Sequence, residues 1–124
     1  MYFNDFRNYQ VYAGTVAAPK SPKALARLIK RACYGIFPHV AAGHEQAPHS
    51  HCHILVAGTP TTGQLAKFQR RLADSDEVWL KTLTTQTAVE LYRDYVLGIG
   101  RHTDKAIMPV LFIQSEVFFS PVRN

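Results

Sequence analysis

Cysteine is scarce in this chain. Cys33 and Cys52 are the two present in 124 residues, too few for a disulfide scaffold and suited to a reducing interior. No run of about 18 apolar residues occurs, which excludes a transmembrane helix and leaves no membrane partner expected. The opening MYFNDFRNYQ lacks the basic-then-apolar layout of a secretion signal, so an intracellular location is expected. No Gly-x-x-x-x-Gly-Lys-Ser/Thr pattern is found, so the chain carries no P-loop of its own. Repeats, low-complexity tracts and linkers are also missing.

What is present is ordinary globular composition, with 47% hydrophobic and 19% charged residues, which argues against disorder. A chain of this length suggests one domain, residues 1–124, able to bury about two-thirds of its unfolded surface. The net charge of +5 permits a polyanionic partner without requiring one. Residues 9–16 (YQVYAGTV) read as a first strand. Pro19 breaks it, and Ser21 followed by Pro22 forms a helix start, with a helix through residue 34 ended by Gly35. Residues 37–45 and 51–57 read as two strands joined by a short turn near Ala47-Pro48. Thr61 or Thr62 caps a second helix to about Leu72, with Leu65, Phe68 and Leu72 inward. Residues 77–84 form a strand, 87–97 a third helix halted by Gly98 and Gly100, and 106–119 a last extended segment. This order implies an α+β protein: a ferredoxin-like, split βαβ antiparallel sheet with two helices on one face. The third helix lies outside that basic pattern and is expected near the other face. Such a sheet hosts many functions, so function must be argued from sites.

Four of the six histidines lie between Gly43 and Val56. Along a strand, side chains alternate faces, so His49, His51 and His53 point one way while Cys52, Ile54 and Val56 point the other. The second set is apolar and should meet the helices. If the turn is centred between Ala47 and Pro48, His44 stands opposite His51 and Ala42 opposite His53, so that His44, His51 and His53 converge as a three-imidazole metal site with open positions. A one-residue slip would bring Glu45 to the site in place of His44. Cys52 reads as a small buried apolar residue. On the third helix, Tyr92 and Tyr95 are three residues apart and share a face. Beside a divalent metal, a tyrosine can serve as a covalent nucleophile.

With these residues in view, the sequence resembles the HUH endonucleases, and the resemblance extends over nearly the whole chain. His51-Cys52-His53 before Ile54-Leu55-Val56 is similar to their His-hydrophobe-His strand, and Tyr95 in Tyr-Val-Leu-Gly to their nucleophile motif. Residues 10–16 occupy the place of their first motif. Pro48-His49-Ser50-His51 also resembles the Pro-His-x-His of plant-virus initiators, but its upstream ligand position falls on Ala41 or Ala42, which cannot coordinate. The family includes viral and plasmid rolling-circle initiators, conjugative relaxases and certain transposases. Viral initiators often use Glu as third ligand, relaxases a third His. Where initiators carry a Lys after the tyrosine, this chain has Gly98 and Ile99, with Arg101 the nearest cation.

The resemblance implies a metal-dependent single-stranded DNA endonuclease that nicks and rejoins through a 5′-phosphotyrosine, starting rolling-circle replication. Tyr95, with Tyr92 as alternative, would be catalytic. Mg or Mn would be held by His44, His51 and His53, with Glu45 the substitute ligand. His49, Arg93, Arg101 and Lys105 would contact DNA, as would Arg7, Tyr9 and Tyr12. The partner would be single-stranded DNA, an origin stem-loop among the options, with a homodimer left open. For a viral source, the location would be host cytoplasm or nucleus. Three rivals follow: a transposase or relaxase of the same chemistry, a non-catalytic nucleic-acid-binding ferredoxin-like module, and a metal-dependent hydrolase that uses an activated water, with the tyrosines structural.

Overall fold

The computed structural model describes residues 9–98 and 107–113. The elements run β1 (Gln10–Ala17), α1 (Pro22–Cys33), β2 (His39–Glu45), β3 (His51–Gly58), α2 (Thr62–Arg71), β4 (Glu77–Leu83), α3 (Gln86–Leu97) and β5 (Ile107–Ile113). The strands form one sheet in the order β4-β1-β3-β2-β5, and every neighbouring pair is antiparallel. The first four strands with α1 and α2 make the expected split βαβ arrangement. No helix among the described residues is long and apolar enough to cross a membrane.

Local chemistry sets the helix starts. The Ser21 side chain accepts from the Ala24 amide, with Pro22 at the first helical position. Thr61 closes a capping box with Gln64. α1 and α2 cover one face of the sheet. Their core includes Leu25, Ile29 and Phe68 against Val16, Val40, Ile54 and Val56. Phe37 meets Phe68 edge-to-face at 5.4 Å. Arg71 of α2 ties the two helices together by donating to the carbonyls of Arg31, Ala32 and Tyr34 at the end of α1.

α3 packs on the opposite face, where Val89 and Val96 join Val11, Ala13, Ala41, Leu55, Ala57 and Leu83. It follows β4 at one sheet edge and precedes β5 at the other, so it must cross the face between them. Gly43 on β2 permits the crossing, because a Cβ there would lie 2.0 Å from the Val96 carbonyl oxygen. Gly98 ends the helix in the left-handed conformation at φ 66°. The end of α3 is thereby held over the histidine-bearing strands.

Candidate metal and tyrosine site

β2 and β3 pair with His44 opposite Cys52, Glu45 opposite His51 and Gly43 opposite His53. The turn-centred expectation is therefore off by one residue, and His44 is corrected out of the ligand set. Residues 46–50 make a five-residue connection in place of an even-numbered turn. The physical reason is the core. Val40 is fully buried against the helices, on the same face of β2 as Ala42 and His44. A slip by one would carry Val40 out and turn His39 and Glu45 into apolar surroundings. His44 instead holds the loop. Ser50 donates its hydroxyl to the Lys20 carbonyl at 2.7 Å, so His44 Nε2–H donates to Ser50 Oγ at 2.9 Å. Burial, then the electrostatic influence of nearby His51, keeps the His44 imidazole below its usual pKa.

On the α3 face, Glu45, His51 and His53 converge, with one ligand atom from each lying within 4.8 Å of the others. Glu45 Oε1 is 3.3 Å from His51 Nε2 and 3.1 Å from His53 Nε2. Adjacent ligand atoms around a divalent ion with bonds of ~2.1 Å stand about 3.0 Å apart in an octahedron and about 3.4 Å in a tetrahedron. Both Glu45 separations fall near this spacing, so the group could hold such an ion. His51 Nδ1–H donates to the His49 carbonyl at 2.7 Å, which fixes the ring with Nε2 toward the cluster. Burial, outweighing the Glu45 contact, keeps His53 below the ordinary imidazole pKa, which suits a neutral ligand. For Glu45, burial raises the carboxyl pKa, but contact with His53 and His51 prevails and holds it low, so it is ionised.

Tyr95, 42 residues from His53 along the chain, brings its hydroxyl to 3.3 Å from His53 Nε2, with ring centroids 4.6 Å apart. Burial and the Glu45 charge both raise its phenol pKa. Tyr92 differs. Its hydroxyl donates to the Gly14 carbonyl at 2.9 Å, and burial first, then Tyr95, pushes its pKa far up. Tyr92 thus braces α3 against β1.

The remaining candidates are dispersed. His49 is exposed at the turn, its ring 5.5 Å from that of His51. Arg93 is engaged with its neighbour Asp94 at 2.8 Å. Tyr12, expected as an exposed aromatic, is 8% exposed and packs edge-to-face on Phe37 in the helix-side core. Arg7, Arg101 and Lys105 lie outside the described residues. Cys52 is buried as expected, and its thiol is pushed up to about 12 by burial. Comparison with protein-family models, with curated proteins and with solved structures gives no match.

Proposed function

We propose that this chain is a metal-dependent, single-stranded DNA nicking and joining endonuclease of the kind that initiates rolling-circle replication, with Tyr95 as nucleophile. The observation that carries the reading is the meeting of the Tyr95 hydroxyl, 3.3 Å from His53, with a Glu45–His51–His53 group able to hold a divalent ion. A carboxylate beside two imidazoles suits Mn²⁺ or Mg²⁺, Mn²⁺ accepting both donor types more readily. Glu in the third ligand position is also the pattern of viral initiators, whereas a third His is that of relaxases.

When bound, the cation supplies positive charge that polarises the scissile phosphate and offsets the cost of ionising a phenol. Tyr95 releases its phenolic proton to solvent as its Oη forms a bond to phosphorus, and the bond from phosphorus to the 3′ oxygen breaks. The leaving oxygen takes a proton and becomes a 3′-hydroxyl, while the 5′ side stays esterified to Tyr95. Attack by another 3′-hydroxyl reverses the step, restoring both the phosphodiester and the phenol. No nucleotide hydrolysis is needed. Glu45 and His51, through the His49 carbonyl, keep the donor set preorganised.

The test is incubation with Mn²⁺ and a pool of labelled single-stranded oligonucleotides, read on denaturing gels. A covalent protein–DNA adduct is expected, lost by about 10³-fold or more in Tyr95→Phe and largely kept in Tyr92→Phe. Undiminished cutting by Tyr95→Phe would assign the chemistry to water and overturn the reading. So would the absence of any adduct.

A further inference from the structure

One row of paired residues crosses the sheet through the metal site. Gly43 on β2 faces His53 on β3, His53 faces Thr15 on β1, and Thr15 faces Trp79 on β4. Directly paired residues share a sheet face, so Trp79 and His53 stand on the same side. The flanking β4 residues Val78 and Leu80 confirm this alternation, since both pack on the helix-side core. Two strand spacings separate Trp79 from His53, roughly 9–10 Å. Thr15 between them is 7% exposed, whereas Trp79 is 40% exposed.

The path of α3 explains that exposure. The helix covers Leu83, at the far end of β4, and leaves the sheet where Val96 passes over Gly43. The stretch of β4 around Trp79 is left beside the helix. Lys81 projects from the same face two residues further on, about 6.6 Å along the strand, and is exposed. An exposed indole on an edge strand, on the metal-site face and next to a cation, is the pairing that single-strand binders use: a ring for a base and a charge for a phosphate.

We infer that Trp79 is a nucleobase-stacking platform beside the metal site, holding the base one or two nucleotides from the scissile phosphate while Lys81 meets the neighbouring phosphate. The inference rests on the nuclease reading for what lies at His53. Stacking accepts any base, so Trp79 supplies affinity and alignment and does not select sequence.

Trp79 is the sole tryptophan of the chain, so its fluorescence reports this position alone. Titration with oligothymidylate of ~20 nucleotides, longer than the site sizes of single-strand binders, should quench it to saturation. Trp79→Ala should weaken binding by roughly 5- to 150-fold, the range that one stacked base spans. Trp79→Phe should retain part of the affinity, and Mn²⁺ binding should stay unchanged in both variants. Lys81→Gln should lower the salt slope of binding by about 0.7.

Saturating DNA binding without a change in Trp79 emission overturns the inference. So does Trp79→Ala binding within twofold of the parent, or a substitution that alters only self-association in sedimentation. A chain that quenches but never forms an adduct keeps the platform and loses the nuclease reading. One that forms the adduct with Trp79 silent does the reverse, and one that binds no DNA loses both.

Discussion

The register of the β2–β3 hairpin decides which side chain completes the metal site, and two substitutions test it directly. Glu45→Ala removes one of three converging donors, the sole anion among them, whose Oε1 lies 3.3 and 3.1 Å from the two imidazole nitrogens. Loss of groups that merely support a metal ligand lowers affinity by about 10- to 100-fold, so loss of a ligand itself should reach at least 100-fold, about 2.7 kcal/mol. His44→Gln is the counterpart. It keeps an amide donor for Ser50 Oγ on the helix-side face and should change Mn²⁺ affinity by less than tenfold. Titration calorimetry, or the electron paramagnetic resonance signal of free Mn²⁺, reads both. Thermal unfolding gives a second measure. At Mn²⁺ one hundred times its Kd, the folded state gains about 2.7 kcal/mol, a rise of roughly 10 °C for a chain of this length. That rise should persist in His44→Gln and shrink sharply in Glu45→Ala. If His44→Gln loses Mn²⁺ as fully as Glu45→Ala, or if Glu45→Ala binds like the parent, the site is built on another register and the reasoning fails.

Three further outcomes are expected. Gly43→Ala should push the end of α3 off the sheet, since its Cβ would meet the Val96 carbonyl oxygen at 2.0 Å; adduct formation should fall at least tenfold through displaced Tyr95, and an unaltered rate would show that α3 does not cross there. Phe68→Ala should destabilise the fold by about 3–5 kcal/mol in urea unfolding, because the ring is fully buried against Phe37; a loss below 1 kcal/mol would mean α2 is not docked as described. Cys33 and Cys52, both pushed up to about 12 by burial, hold a thiolate fraction of about 10⁻⁴ at pH 8 and should resist Ellman's reagent until the protein unfolds; labelling at the rate of an exposed thiol in the native state would contradict their burial.

The split between what the sequence discloses and what it conceals follows from the range of the forces involved. Ser21-Pro22 and Thr61-Thr62-Gly63-Gln64 disclose helix starts because capping acts over three residues. The alternation of His51 and His53 with Cys52, Ile54 and Val56 discloses the two faces of β3 because its period is local. Partnership across a hairpin is different. A turn centre inferred from Ala47-Pro48 is uncertain by one residue, and one residue inverts every side chain of β2. The deciding signal was nevertheless in the chain, away from the turn. Val40 alternates with His39, and the two other nonpolar side chains of the strand, Ala41 and Ala42, are too small to fix its facing, so burying Val40 beside Val56 settles the parity and delivers Glu45 to the histidines. The apposition of Tyr95 and His53 is concealed more deeply, since it depends on α3 traversing the sheet from the β4 edge to the β5 edge over a glycine on a third strand. Trp79 was hidden for the same reason. Its row with His53 depends on the register of β1 against both β3 and β4, which no local pattern specifies. A site assembled from strand neighbours far apart in sequence is thus legible in its parts and not in its pairings, and packing around one valine carries more of that information than the turn does.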